Sequence, residues 1–383
     1  MSIESATALQ MDNLSLNAVP EAEFSQCLPI LPQEMVREIL LRLPVKTLLK
    51  FRSVCRSWLS LISSSEFMKT HLKISSYNSI YSHNKLILGR SSNSLDLYTF
   101  PLYDQTGDLA SMDTVPLDHP LFEPVSMLRI VGSCNGLVCL VLGLNTVIIL
   151  NPATKKSREL PISSTSVFDT EYGFAYDESN DEYKVVESGW TIADMDEIKT
   201  HVKVYSSKTD SCRFIDGPPG FVFIGCGVFV NGAIFWKVLY PRNNPRNWYI
   251  VAQDIKTERF ELLDKPKYEK GVVNALLMVS GGRLCVCLSY QTQLDIWVLG
   301  ENGDGEYWTK LVRVPYTLDI SNHRYIRPNT LLISENGGVL LSYGSDILMY
   351  EPMQTCEIHT LRDNIEFEAA TYTESFVSPE FWT

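Results

Sequence analysis

The first thirty residues contain no lysine or arginine. A secretory signal needs a positively charged start and an organellar transit peptide is arginine-rich, so neither is expected. Long apolar runs are also missing. The longest, Gly136 to Leu150, is interrupted by Asn145 and falls short of the roughly 20 residues of a spanning helix. It reads instead as two strands around a turn at Gly143–Asn145. Cysteine is present without organisation: nine residues at 27, 55, 134, 139, 212, 226, 285, 287 and 356 are odd in number and scattered. They show neither zinc-ligand spacing nor a disulfide framework, and a reduced cytosolic or nuclear location is expected. Positive charge is scarce, with 33 Lys/Arg against 45 Asp/Glu and a net charge of −12. This argues against nucleic acid as the main partner, because phosphate binding needs a basic surface.

A chain of 383 residues that is 45% hydrophobic accommodates a small module plus one large domain. Aromatic content of 11%, with 19 Pro and 21 Gly, favours a sheet-rich protein with many turns. Charge is unevenly placed: residues 31–73 carry eight basic and three acidic residues, or +5, leaving −17 for the remainder. The two parts therefore prefer different partners.

Residues 1–28 are polar, acidic and aperiodic, and are expected to be a disordered tail. A helical pattern starts at Leu31, with Pro32 suited to a first turn and Met35, Val36, Ile39, Leu40 and Leu43 at three- and four-residue spacing. Pro44 breaks it. Two further helical runs hold Leu48, Leu49, Phe51 and Arg52, then Val54, Cys55, Trp58, Leu61 and Ile62. Of the 32 residues from Leu31 to Ile62, 19 are apolar or proline. Three short helices cannot bury that much among themselves. The surplus is expected to meet a partner, either another protein or the rest of the chain.

The run Leu31–Leu72 resembles the F-box motif in the version common in plants. The resemblance is carried by Leu31-Pro32, Glu38-Ile39-Leu40, Arg42-Leu43-Pro44-Val45-Lys46, Leu48-Leu49, Phe51-Arg52, Val54-Cys55, Ser57-Trp58, Leu61-Ile62, Phe67 and His71-Leu72. It implies a helical hook over 29–73 that docks on a Skp-type adaptor, which in turn binds a cullin scaffold with its RING subunit. The docking residues implied are Leu31, Pro32, Met35, Ile39, Leu40, Leu43, Pro44, Leu48, Leu49, Val54, Cys55 and Trp58.

Residues 74–84 lack a strong period and read as a linker. From Lys85 the pattern alternates, as in Val202–Tyr205, Leu284–Leu288 and Asp295–Leu299. Strand, threonine turn and strand recur around Thr154, Thr209, Thr257 and Thr355, each preceded by a glycine-led strand at Asn135-Gly136, Asn231-Gly232, Gly281-Gly282 and Gly337-Gly338. A period of about 50 residues of strand is the signature of propeller blades of the kelch type. No Trp-Asp dipeptide supports the WD-repeat alternative. The expected fold is α+β multidomain, a short helical F-box followed over 85–365 by an all-β propeller of about six blades, with 366–383 as a C-terminal tail. The same region resembles the F-box-associated domain of plant F-box proteins in Gly132–Leu140, Leu150–Pro161, Tyr172–Glu187, Val228–Trp236 and Phe260–Pro266. That pairing includes defence-regulating and pollen S-locus F-box proteins.

Catalytic signatures are weak. Gly225-Cys226-Gly227 lacks dinucleotide-loop spacing and strand follows it. Asp194, Asp196 and Glu197 read as a polar loop rather than a metal site, and Asp177, Glu178, Asp181 and Glu182 lack the calcium-loop register. Six histidines are dispersed. The expectation is a non-enzyme without cofactor or metal: a substrate receptor of a ubiquitin ligase. An adaptor-binding scaffold that recruits no cullin, and a propeller enzyme or sugar binder, are the alternatives. Connections in an antiparallel blade alternate between faces. Gly189–Thr200, Leu239–Trp248 and Tyr316–Pro328 are thus expected on one face, opposite the tight turns Asp177–Asp181 and Ser206–Asp210. They make Trp190, Asp194, Asp196, Arg242, Arg246, Trp248, His323, Arg324 and Tyr325 the candidate target-binding residues.

Overall fold

The computed structural model describes residues 31–77, 84–91, 95–101, 115–116, 128–143, 146–162, 168–193, 197–240, 247–302, 305–315, 329–333, 338–343, 346–350, 357–360 and 368–380. The tail expected over 1–28 lies outside them. The chain divides into two units, residues 1–40 and 41–383.

The first unit contributes helix α1 (Gln33–Leu40), with Glu34 in its first turn and Arg37 in its last, the signs that suit the helix dipole. Pro32 precedes it, and its carbonyl accepts the Val36 N–H at 3.1 Å. Leu31, Met35 and Ile39 recur every four residues, and all three are about half exposed, at 50%, 52% and 49%.

In the second unit, Pro44 caps α2 (Val45–Phe51), where its missing N–H costs nothing, and its carbonyl accepts from Thr47 and Leu48. Helix α3 (Arg56–Ile62) follows extended Cys55. Helix α4 (Ser65–Tyr77) starts at Ser64, whose hydroxyl accepts the Phe67 N–H at 3.2 Å. Phe67 and His71 lie one turn apart, both buried, and His71 Nε2 meets the Leu43 carbonyl at 2.9 Å. Burial holds the His71 pKa below its usual value, although that carbonyl works the other way. The boundary drawn at residue 73 is corrected here, because α4 runs on through residues expected to be linker.

Six antiparallel sheets follow. Blade one contains β1 (Asn84–Ser91), β2 (Leu95–Pro101) and β3 (Val115–Pro116). Blade two is β4 (Leu128–Cys134), β5 (Leu137–Leu142), β6 (Thr146–Asn151) and β7 (Lys156–Glu159). Blade three is β8 (Phe168–Asp177), β9 (Glu182–Ala193), β10 (Glu197–Ser206) and β11 (Ser211–Ile215). Blade four is β12 (Val222–Phe223), β13 (Val228–Val230), β14 (Ala233–Leu239), β15 (Trp248–Asp254) and β16 (Phe260–Leu263). Blade five is β17 (Asn274–Ser280), β18 (Arg283–Ser289), β19 (Gln293–Asn302) and β20 (Gly305–Pro315). Blade six is β21 (Asn329–Ile333), β22 (Val339–Tyr343), β23 (Asp346–Tyr350) and β24 (Glu357–Thr360).

A last strand, β25 (Glu368–Thr373), pairs antiparallel with β1, from Asn84 opposite Thr373 to Gly89 opposite Glu368. The expected C-terminal tail is therefore corrected: it supplies the inner strand of blade one. Strands β4, β8, β13, β17, β21 and β25 neighbour one another in turn, and β25 returns to β4. The inner strands thus close a ring, and hydrogen bonding between first and last strands removes the free edge an open sheet would carry.

Sequence chemistry explains the turns. Asn135-Gly136, Asn231-Gly232 and Gly281-Gly282 all have positive φ at both positions, the requirement of a type I′ hairpin turn. In the third connections, an Asx cap recurs: Asn151 Oδ1 accepts from Ala153 and Thr154, and Asp254 Oδ1 accepts from Thr257. Blade cores explain the apolar runs. In β5 every residue is buried, with Leu137, Cys139 and Val141 facing blade three and Val138, Leu140 and Leu142 facing blade one. Cys285 and Cys287 likewise share the side of β18 that packs on blade six.

Alternation along each blade places first and third connections on one face, called here the turn face. The second and inter-blade connections form the opposite, loop face.

Candidate functional site

The exposed surface of the helices is apolar. Besides Leu31, Met35 and Ile39 of the first unit, Val54 (59% exposed) and Leu59 (46%) lie open in the second. Pro32, Pro44 and Cys55 are exposed, and Leu43, Leu49 and Trp58 are half-buried. Trp58 is tilted against Phe51 with centroids 5.3 Å apart. Leu40 and Leu48, placed by sequence among the docking residues, are 1% and 0% exposed and are core residues instead. Leu59 was missed because the motif that the sequence resembles is carried in this helix by Ser57-Trp58 and Leu61-Ile62.

Helices α2 to α4 meet the turn face of the propeller. Lys69 pairs with Asp181, in the β8–β9 turn, at 2.8 Å. Burial would raise the Asp181 carboxyl, but hydrogen bonds from Lys69 and Tyr176 hold it below its usual value. Arg52 lies over the Phe376 ring at 5.8 Å, and His71 meets the same ring edge-on at 5.5 Å. Phe376 is positioned by the segment after β25: Ser375 Oγ donates to the Asn135 carbonyl at 2.6 Å, and Asn151 Nδ2 donates to the carbonyls of Ser375 and Val377. Gly136 makes this possible, since a Cβ there would stand 2.2 Å from Ser375 Oγ.

The residues expected to bind a target divide differently. The long loop expected at Gly189–Thr200 is mostly strand: Thr191 pairs with Lys199 and Ala193 with Glu197. Trp190 sits within β9, paired with Thr200 and Phe168, and is half-buried. Trp248 is the first residue of β15 and is buried, stacked on Tyr268 at 6.0 Å with the Lys265 ammonium 5.2 Å from its ring centroid. Its assignment as a surface anchor is corrected, because its indole is committed to the contact between blades four and five. Asp194, Asp196, Arg242, Arg246, His323, Arg324 and Tyr325 lie outside the described residues.

The inner strands enclose a channel of about 790 Å³. Its charged residues, Arg129, Glu171, Lys237 and Glu368, all lie in the half towards the loop face. Arg129 Nη1 pairs with Glu171 at 3.0 Å, Nη2 donates to the Thr170 carbonyl at 2.8 Å, and the guanidinium lies over Tyr172 at 5.4 Å. Lys237 Nζ donates to the Ala275 carbonyl at 2.9 Å and to Asn274 Oδ1 at 3.3 Å. Glu368 is exposed to the channel but walled by protein, which raises its carboxyl pKa, while the Ile130 N–H and Arg129 partly offset the rise. Sequence reasoning did not single out these four residues. They come from four blades and from opposite ends of the propeller sequence, and only ring closure assembles them.

The glycines around Cys226 serve packing. Gly227 pairs with Gly173, and a Cβ on it would stand 2.5 Å from Ile234 and 2.9 Å from Trp236. The acidic turn is tied to Lys184, whose Nζ reaches Asp177 and Glu258 at 3.2 Å. Among the described residues no three His, Cys, Asp or Glu converge as a metal-binding group, and no helix is long and apolar enough to cross a membrane.

Comparison with known proteins separates the helices from the propeller. The F-box domain family matches residues 28–70, and the F-box associated beta propeller domain matches residues 90–377, which takes in β25. An Arabidopsis thaliana F-box/kelch-repeat protein, At3g23880, is 30% identical over 91% of this chain and 96% of its own. The Arabidopsis F-box protein CPR1 is 27% identical over 87% of this chain and 84% of its own.

Proposed function

Because the chain belongs to the F-box proteins that carry an F-box-associated β-propeller domain, we propose that it is the substrate receptor of a Skp–cullin–F-box ubiquitin ligase. In this reading the helices dock on a Skp-type adaptor and the propeller captures a protein for ubiquitination and proteasomal degradation. The carrying observation is the open apolar stripe Leu31, Met35 and Ile39, which leaves about half of each side chain in water. Fully burying such a side chain is worth about 1.5–3 kcal/mol. Val54 and Leu59 add to the surface offered, and the +5 charge of residues 31–73 suits an acidic adaptor.

The receptor is non-catalytic in this reading. Cys55 is the one cysteine exposed among the described residues, and it lies within the proposed docking surface. Ubiquitin transfer is therefore assigned to the cullin-bound RING subunit and its conjugating enzyme.

The test is co-purification from cells of the chain's own kind. Wild-type protein is expected to bring down the adaptor and a cullin. Leu31→Ala with Met35→Ala is expected to weaken adaptor recovery at least ~10-fold while the propeller keeps its thermal transition. Full adaptor recovery by that variant rejects the docking surface. Adaptor without cullin from the wild type makes the chain a scaffold rather than a ligase receptor.

A further inference from the structure

The first connections of blades two and four are built from the same dipeptide, yet the fold treats them differently. Asn135-Gly136 and Asn231-Gly232 each close a hairpin with positive φ at both positions. At the first, Gly136 is buried, Ser375 and the Thr373 carbonyl fill the space beside it, and the Asn135 carbonyl accepts the Ser375 hydroxyl at 2.6 Å. At the second, Asn231 and Gly232 are both exposed, and nothing stands within 4 Å of where a Cβ on Gly232 would be. Among the described residues, neither the Asn231 side chain nor the Gly232 N–H has a hydrogen-bond partner.

Asparagine followed by glycine holds an electrophile and a nucleophile within reach of each other. The hydrogen bond of a two-residue turn joins its flanking residues, so the Gly232 N–H is left free, and glycine has no side chain to hinder the approach of its nitrogen. That approach requires the peptide between Asn231 and Gly232 to rotate out of the turn, which is a local opening. At blade four the rotation gives up the bond from the Ile255 N–H to the Gly232 carbonyl, 2.9 Å long. At blade two it has to displace Ser375 and a segment that Asn151 holds by two hydrogen bonds.

We propose that Asn231 is a site of spontaneous modification in the folded protein, losing its side-chain amide while Asn135 keeps its own. The Gly232 nitrogen gives up its proton and bonds to Asn231 Cγ, and the side-chain nitrogen leaves as ammonia, closing a succinimide ring. Water then opens the ring, with no change of oxidation state. Addition at Cγ breaks the new bond to nitrogen and gives aspartate. Addition at the main-chain carbonyl breaks the original peptide bond and gives isoaspartate, whose main chain runs through Cβ and Cγ. Isoaspartate adds a main-chain atom to the short loop that joins Val230 to Ala233, and the Gly232 carbonyl then no longer meets the Ile255 N–H. This chemistry is independent of what the propeller captures.

The full chain is held folded in warm, mildly alkaline buffer and digested at intervals, and mass spectrometry follows the exchange of amide for acid in each peptide. The Asn-Gly pairs at Asn302 and Asn336, whose glycines lie outside the described residues, are thereby read separately. Acid is expected at Asn231 at least about ten-fold faster than at Asn135, because the buried turn reacts only through a rarer opening. In the urea-unfolded chain the two rates should agree within about two-fold. An isoaspartate-specific methyltransferase supplied with S-adenosylmethionine identifies the branched product. In that fraction, separated by its added negative charge, the Ile255 amide should exchange hydrogen at least about ten-fold faster. An Asn231 amide that lasts as long as that of Asn135 in the folded chain overturns the proposal. Unchanged protection of Ile255 in the isoaspartate fraction overturns the effect assigned to it.

Discussion

Asp295 shows how a single buried charge is kept in this propeller. It is fully buried in β19, and its two carboxylate oxygens accept from Arg313 at 2.7 Å and Lys310 at 2.8 Å on the neighbouring strand. Burial pushes its carboxyl up, but those two hydrogen-bonded cations outweigh it and hold the pKa below the ordinary value. A carboxyl lowered on folding stabilises fully above its unfolded pKa, about 3.9, and loses that contribution as pH falls through the lower folded value. Asp295→Asn is therefore expected to cost about 1–3 kcal/mol at neutral pH. Urea denaturation at decreasing pH should show the gap between the two proteins closing below about pH 4. A gap independent of pH would mean that packing, not charge, is what the substitution removes.

Glycine gives a second residue-scale test. Gly136 and Gly232 occupy equivalent hairpin turns with φ of +80° and +84°, but only Gly136 has Ser375 and the Thr373 carbonyl in the space of a Cβ. Alanine at Gly232 is expected to cost about 1–2 kcal/mol for its backbone conformation alone. Alanine at Gly136 should cost about 1–3 kcal/mol more, because the segment carrying Phe376 has to shift. Thermal denaturation of the pair checks this, and equal losses would remove the packing argument. The Asn-Gly signature was readable from sequence because φ is a local requirement. The clash was not, since Ser375 lies far along the chain. Trp248 was misread for the same reason: a tryptophan beside a polar loop looks like an anchor until Tyr268 and Lys265 are seen to cover it.

At the scale of elements, hairpins with apolar alternation or threonine turns were legible, and the repeat of about 50 residues led to the six-blade count. The strand at Glu368–Thr373 was not legible. Its sequence, EAATYT, has little apolar alternation because one edge of an inner strand borders the channel. Helix α4 outran its motif because Ile74 and Ser75 continue the face of His71, which the motif does not record. Truncation after residue 366 is accordingly expected to do more than trim an end. It removes β25 and the Phe376 contact, and it should abolish the cooperative thermal transition and make blade one sensitive to limited proteolysis. A truncated protein that melts like the full chain would contradict the ring closure.

For the whole molecule, the uneven charge and the change of period from helical to alternating were enough to separate the F-box helices from the propeller. The channel site was not, because its residues belong to a cluster that exists only after six blades close. Closure by β25 also sets an order in time. The F-box helices precede β25 and leave the ribosome before it, whereas blade one has to wait, with one edge of β1 unpaired, until β25 is made. Until then the growing chain displays an adhesive strand edge, which β25 covers in register. A ribosome that stalls or a message that ends early yields a chain with a complete adaptor hook and an open ring.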